Sequence, residues 1–470
     1  MRACSRPAPS PTHVLDASSG PARTRRLANP VPDLVPLETA WGWLFGHCGT
    51  LAPRRELPAV ALGATVAKDV TSSAAVPSFD SSAMDGYAVR ASDCLGPSAA
   101  LVVTGTVMAG EEPGAPVGPG EARRIMTGAA VPPGADAVCP LERATNDGAL
   151  VCLAGPVRVG DHIRRAGEDV AVGDVAVSAR TELAPAHVGL LAAIGCDDVL
   201  VHPVPRVGVL STGDELLADA ARGVRDSNRA ALLAVLRSDG MPAIDLGLVT
   251  DRPEAVVEAL SDASADCDAV ITTGGVSVGE HDVVRMALPL LPTVARRWLQ
   301  VAIKPAKPFA FALLRPGASA PRRASIPVFG LPGNPVSAMV SYEVFARPAL
   351  RKMAGRRHWW RPAIAATAAE PYVRSADGKV HFVPSSVRID GEGLQASIRP
   401  SPRQGAHRLT SLTPANALAV LDDGPGLAAG ERVTAWLLDP VAAFAPEPSP
   451  PDRRGPEGAP IGRAARWSND

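Results

Sequence analysis

ITTGGVSVGEHD at 271–282, VAIKPAKP at 301–308 and FGLPGNPVSAM at 329–339 are three loops, each set just after a short apolar run. The first is rich in glycine. The second holds Lys304 and Lys307 between prolines, which stiffen the backbone and lower the entropy cost of positioning them. The third is a Pro-Gly-Asn-Pro turn that opens a helix. Backbone N–H groups at a helix start attract negative charge, and nearby lysines add point charges. The stretch therefore points to a phosphorylated or oxyanionic ligand.

Around these loops the chain alternates in type. RVGVLS (206–211) reads as a strand, SNRAALLAVLRSDG (227–240) as a helix and AIDLGLV (243–249) as a strand. RPEAVVEALSDAS (252–264) is a helix with Pro253 in its first turn, while DAVITT (268–273) and IPVFGL (326–331) are further strands. A last helix starts with Asn334 as its cap, carries Val336, Met339, Val340 and Val344 on one stripe, and stops near Gly355. Such alternation predicts a parallel sheet covered by helices on both faces. Ligands of these sheets bind outside the carboxyl ends of the strands. STGDEL (211–216), VTD (249–251), the glycine loop and GLPGNP (330–335) would then share one rim.

Outside this block the pattern shortens. From about 59 to 152, short apolar runs between Gly/Pro turns read as a β-rich module, and beyond 362 short strands suggest a small C-terminal β domain. A helix over 37–48 has Leu37, Trp41, Leu44 and Phe45 on one face. Both ends are rich in Pro, Ser and Arg and read as disordered tails, because they bury too little apolar surface to offset ordering.

At 470 residues the chain exceeds a single core. With 47 Lys and Arg against 48 Asp and Glu, it lacks the basic bias of a general nucleic-acid binder. Seven scattered cysteines without a C-x-x-C pair fit reduced, buried thiols. There is no membrane-length apolar run and no secretory signal pattern, so a cytoplasmic protein is expected.

Several residues are candidates for chemistry. Glu215, Asp251 and Asp282 sit in rim loops, where carboxylates beside phosphate oxygens would suit Mg²⁺. Helix capping and helix-start charge explain Asp251 and Asp282 equally well. Gly274, Gly275 and Gly279, with Ser277 among them, would admit a phosphate close to the backbone, or simply make the turn. Pro332, Gly333, Asn334 and Pro335 form a rigid turn that helix initiation alone would also account for. PSFDSSAMDGYAV (77–89) packs Asp80, Ser81, Ser82 and Asp85 into six residues, as either a polar site or a hydrogen-bonded turn.

Read in order, PSFDSSAMDGYAV, RIMTGAAVPPGADAV, RRAGEDV, GLLAAIGC, PRVGVLSTGDEL, DSNRAAL, ITTGGVSVGEHD, VAIKPAKPFAFA and GLPGNPVSAM resemble the molybdopterin molybdenumtransferase family, MoeA and the gephyrin E domain, over about 37–440. The resemblance implies a multidomain α/β plus β protein. Its parts are a central three-layer α/β domain with a mostly parallel sheet of the molybdopterin-binding fold, a β-rich second domain and a small C-terminal β-barrel-like domain. The expected division is a tail over 1–32, a discontinuous linker domain over 33–70 and 166–203, and a β-rich domain over 71–165. The α/β domain follows over 204–356, the C-terminal β domain over 360–441 and a tail over 442–470.

It also implies the reaction: molybdate enters adenylylated molybdopterin, AMP leaves and molybdenum cofactor forms, with Mg²⁺ as the metal cofactor. By motif, Asp85, Thr127, Lys304 and Lys307 carry over as catalytic residues, Glu215, Asp251 and Asp282 as metal ligands, and Asp169 as the acid of the Gly-Glu-Asp motif. Gly274, Gly275, Ser277, Gly279, Pro332, Gly333, Asn334 and Pro335 carry over as the molybdopterin-binding set. The implied partners are a second copy in a homodimer, a molybdopterin adenylyltransferase and molybdoenzyme clients, with no nucleic acid and no membrane. The alternative is a family paralogue with weak or altered insertion activity that delivers molybdopterin or acts as a scaffold. Three departures bear on that choice: Pro384 stands where the family has an arginine, Ala406 replaces a serine in QGAH (404–407), and Gln300 stands where some members have a basic residue. Arg388, Arg403 and His407 are nearby substitutes by sequence.

Overall fold

The computed structural model describes residues 34–217, 224–276, 282–315, 325–390 and 395–444. At its centre is a six-stranded sheet in the order Ala243–Val249, Val207–Thr212, Ala269–Thr273, Ile326–Leu331, Pro308–Leu314, Thr293–Gln300. The first four strands run parallel and the last two continue antiparallel. The antiparallel pair is absent from the simple β/α alternation. Its outer strand, TVARRWLQ, is an edge strand whose arginines break the apolar run.

Side chains alternate between the two faces, as strand geometry requires. Phe309, Phe311 and Phe329 enter one core, while Ala310, Ala312 and Val328 enter the other. The helix Ser227–Ser238 covers the first face together with the helical run that starts at Pro335 and passes through a π turn at Tyr342–Ala346. Leu37–His47 joins this face through Leu37, Ala40 and Leu44. Pro253–Asp266 and Val283–Ala287 cover the other. Each fully buried phenylalanine contributes roughly 1.5–3 kcal/mol of apolar burial, and Phe309 also stacks on Phe345 at 4.3 Å.

The helix after Asn334 departs from the one-stripe expectation. It is buried nearly all round from Val336 to Leu350, and Met339, placed on the inner stripe by spacing, is only half-buried. Its charged residues Glu343 and Arg347 belong to a buried network: Arg361 pairs with Glu343 at 2.9 Å and with Asp239 at 3.1 Å, and Arg347 pairs with Asp239 at 3.0 Å. Tyr342 donates to the same Asp239 at 2.7 Å.

A second six-stranded sheet runs from Gly86 to Ala154. The chain segments flanking it pair with each other: Val199–His202 lies between Arg54–Glu56 and Thr65–Val66, and Val70–Thr71 pairs with Val175–Val177. The C-terminal strands Val380–Ile389, Ala396–Pro400, Ala363–Ala368, Arg432–Leu437 and Ala417–Leu421 close on themselves into a five-stranded barrel. Ile303–Lys304 adds to that barrel in parallel with Val380–His381. The lysine loop is thus stitched to both bodies.

Candidate active site

The rim begins with the glycines after Ala269–Thr273. Gly274 and Gly275 have φ of +93° and +60°, the left-handed region in which side chains are strained. A Cβ on Gly274 would sit 2.5 Å from the carbonyl oxygen of Thr212, at the end of the neighbouring parallel strand. Gly333 lies close too, since a Cβ there would stand 3.7 Å from the Gly274 Cα. The Gly274 N–H donates to the Leu331 carbonyl at 3.2 Å. Three strand-end loops therefore meet backbone to backbone.

Asn228, in the first turn of its helix, ties them together. Its Nδ2 donates to Thr273 Oγ1 at 2.9 Å and to the Gly333 carbonyl at 2.7 Å. Sequence reading quoted Asn228 within DSNRAAL but gave it no role. Asn334 stands at the cap position without a side-chain cap bond. One N–H of the helix start is already taken, because Val336 N donates to the Ala406 carbonyl of QGAH at 3.0 Å.

The acidic residues occupy adjoining loops. Asp251 does not cap its helix, for which Arg252 is the cap residue. Instead Asp251 and Asp214 exchange bonds: each backbone N–H donates to the other's carboxylate, at 3.0 and 3.2 Å. Glu215 is exposed beside Asp214, and Asp282 precedes Val283–Ala287. Among the described residues no group of three or more His, Cys, Asp or Glu is gathered to hold a metal. The donor chemistry still suits Mg²⁺, a hard ion that commonly takes only one or two carboxylates plus phosphate and water. Ser277 and Gly279 lie outside the described residues.

Lys304 and Lys307 face a cleft of about 870 Å³ between the α/β domain and the barrel. Lys304 is exposed and Lys307 half-buried, and between them buried Ala306 holds a φ of +77°. That conformation costs about 1–2 kcal/mol for a residue with a Cβ. Val336 and Ser337, just beyond the Pro-Gly-Asn-Pro turn, line the same cleft. From the barrel come Arg374, Asp377, Lys379, His381, Pro384, Ser401, Gln404 and Ala406, so four cations face one carboxylate. Arg388, Arg403 and His407 do not line it.

Pro384 cannot donate to a ligand. Its carbonyl instead accepts from Ser401 N at 2.9 Å and Gln404 Nε2 at 3.0 Å, which holds the QGAH loop in place. Arg374 has its donors spent on the carbonyls of Leu421, Asp422 and Lys379 and on the carboxylates of Asp377 and Asp423. Asp377 accepts from Lys379 at 3.0 Å and His381 Nε2 at 3.1 Å. Burial would raise its pKa, but these two bonds and the adjacent charges bring it down to about 2. Burial is also the main cause that pushes His381 below the ordinary imidazole range, against the opposing bond to Asp377. A neutral His381 must therefore carry its proton on Nε2, because an ionised Asp377 only accepts.

Asp85 and Thr127 meet elsewhere, on the second sheet. Thr127 donates to Asp85 Oδ1 twice, from N and from Oγ1, both at 2.7 Å, and these bonds hold the carboxyl below its usual range. Asp80 is likewise lowered, by the Ala166 N–H and by Arg165. Neither Asp85 nor Thr127 lines the cleft.

Three family descriptions match the chain: "MoeA N-terminal region (domain I and II)" over 35–195, "Probable molybdopterin binding domain" over 208–352 and "MoeA C-terminal region (domain IV)" over 365–438. The chain is 37% identical over 374 residues to a molybdopterin molybdenumtransferase of Haemophilus influenzae, covering 78% of this chain and 89% of that one. The chain belongs to the molybdopterin molybdenumtransferase family. It is therefore an enzyme, a transferase of molybdenum cofactor biosynthesis. A relative of the same name from Nostoc is 34% identical, covering 77% of this chain and 83% of the other. The fold is similar to that of a molybdopterin biosynthesis MoeA protein from Pyrococcus horikosii, with a TM-score of 0.70, 27% identity, and coverage of 87% of this chain and 100% of that one. The cleft lies between the stretch that matches the molybdopterin binding domain and the stretch that matches the C-terminal region.

Proposed function

We propose that the chain inserts molybdate into adenylylated molybdopterin and releases AMP, with the α/β rim and the lysine cleft forming one continuous site. The observation that carries this reading is the meeting of the Gly274–Gly275, Gly333 and Thr212 backbones at a rim adjoining a cleft with four cations. Gly274, Gly275 and the Pro332–Pro335 turn, with Ser277 and Gly279, hold the pterin and its phosphates. Lys304 and Lys307 neutralise oxyanion charge as a molybdate oxygen attacks the phosphoanhydride.

Glu215, Asp251 and Asp282 would hold Mg²⁺ together with substrate phosphates. When bound, it supplies charge neutralisation at the phosphoanhydride. Asp251 is oriented for this by its exchange of bonds with Asp214. In this reading Asp85 and Thr127 serve the site of a second subunit in a homodimer, consistent with their absence from this chain's cleft lining. The domain division of the sequence reading, a cytoplasmic location, and exchange with a molybdopterin adenylyltransferase and molybdoenzyme clients belong to the same proposal. Among the described residues no helix is long and apolar enough to cross a membrane.

The test is reconstitution with adenylylated molybdopterin, Mg²⁺ and molybdate, following AMP release and activation of a molybdenum-free apoenzyme. Stoichiometric AMP release with activation supports insertion. Tight binding of the adenylate without AMP release at physiological molybdate would refute it in favour of the delivery paralogue.

A further inference from the structure

The cleft lacks a donor at two positions, since Pro384 offers no N–H and Ala406 no hydroxyl. The barrel supplies others from a different strand and loop. Lys379 Nζ has three donors and directs two at Asp377, to Oδ2 at 3.0 Å and to the carbonyl at 3.3 Å. One donor remains, on a side chain that is 21% exposed and lines the cleft. Asp377 is itself fixed by Arg374 at 3.0 Å, so the ammonium is positioned by a braced carboxylate and not by a free chain. Ser401 lines the same cleft, and its hydroxyl is buried with no hydrogen-bond partner among the described residues. A buried hydroxyl without a partner carries a desolvation cost that a bound acceptor would relieve.

We propose that Lys379, braced by Asp377, and Ser401 are the barrel's oxyanion-binding residues in this chain and receive molybdate opposite Lys304 and Lys307. The proposal rests on the reading of the cleft as the molybdate site. Lys379 binds as a point charge, and Ser401 donates its hydroxyl proton to one oxygen. His381 lines the same cleft and hydrogen-bonds Asp377 through Nε2 at 3.1 Å, which helps to hold that carboxylate in place.

The test titrates the purified full chain with sodium molybdate by equilibrium dialysis, counting bound metal, with and without adenylylated molybdopterin. K379Q is expected to weaken molybdate about ten-fold, the loss of one charge-assisted hydrogen bond. K379R should recover to within about three-fold, since it restores the charge but not the compact ammonium. S401A should weaken binding by a smaller factor, and R388Q, outside the cleft, should not change it. The KM for adenylylated molybdopterin should stay constant across the series. A K379Q affinity within about two-fold of the unmodified chain, or an equal loss in R388Q, overturns the proposal. If K379Q does not fold by its melting curve, unchanged affinity in S401A overturns it instead. Weakened molybdate binding in a chain that releases no AMP would uphold these residues while sinking the insertion reaction. AMP release insensitive to both substitutions at limiting molybdate would do the reverse.

Discussion

Replacing Gly274 by alanine tests whether the rim is built from backbone contact. The position has a φ of +93°, where a Cβ costs about 1–2 kcal/mol. That Cβ would also lie 2.5 Å from the Thr212 carbonyl oxygen and 3.0 Å from Thr212 Oγ1. The carbonyl is fixed backbone and cannot rotate aside as a side chain could, so a forced shift adds about 1–3 kcal/mol. The sum, about 2–5 kcal/mol, corresponds to a fall of roughly 5–15 °C in the melting of the α/β domain. Thr212 leads directly into Gly213, Asp214 and Glu215, so displacing it also moves the acidic loop. Gly333→Ala is the matched control. Its Cβ meets only the Gly274 Cα at 3.7 Å, an ordinary contact, and its backbone is not left-handed. Gly333→Ala should melt within about 2 °C of the parent yet raise the KM for the pterin substrate, because its methyl fills the space between the loops. Calorimetry and AMP release measured on both variants decide the matter. Equal Tm values for the two would refute the claim that Gly274 is held by backbone approach.

Asp251→Asn keeps an acceptor for the Asp214 N–H but removes a charge, so the Mg²⁺ requirement of AMP release should rise several-fold with little change in Tm. Equal losses of both would make the residue structural. Arg361→Leu leaves Glu343 and Asp239 short of a partner in a buried network, and should cost about 3–5 kcal/mol without altering KM; denaturant unfolding beside kinetics checks it. The barrel should lose stability in acid in two stages, because both His381 and Asp377 have folded pKa values below their unfolded ones. Their contributions are fully present above the unfolded values and fade as pH falls, first below about 6.5 for His381 and then from about 4 for Asp377 down to its folded value of about 2. His381→Asn should remove the first stage in melting curves recorded against pH and, by removing one of the interactions that lower Asp377, narrow the second.

The parallel part of the central sheet was legible because each strand is a short β-branched run and each helix begins at Pro or an N-cap. Pro253 in the first turn and Asp226 accepting from the Arg229 N–H are examples. The antiparallel strand Thr293–Gln300 was not, since an edge strand carrying Arg296 and Arg297 has no continuous apolar signal. The rim glycines were readable as glycines, but Asn228 was not readable as their clamp. Its partners Thr273 and Gly333 are 45 and 105 residues away. Lys379 and Ser401 were invisible for the same reason: the cleft they share with the lysine loop forms only when Ile303–Lys304 pairs with the distant Val380–His381. Arg388, Arg403 and His407 were nearer in sequence to the departures, yet none of them lines the cleft.

This difference in construction bears on two of the departures that the family resemblance marks, Pro384 and Ala406. At the rim, a Cβ on Gly274 would clash with the Thr212 carbonyl oxygen, and no side-chain choice can substitute for the room that glycine leaves. Across the cleft the work is done by charges and hydroxyls on side chains that enter from several strands and loops. An oxyanion is indifferent to which of them supplies a donor, provided the count and sign hold. Pro384 and Ala406 both fall on the cleft side, and there each keeps a backbone duty: the Pro384 carbonyl anchors Ser401 and Gln404, and the Ala406 carbonyl accepts from Val336 N. Donors can therefore be lost at these positions without loosening the seam between barrel and sheet. The position with least freedom is the one where main chain meets main chain, Gly274 against the Thr212 carbonyl.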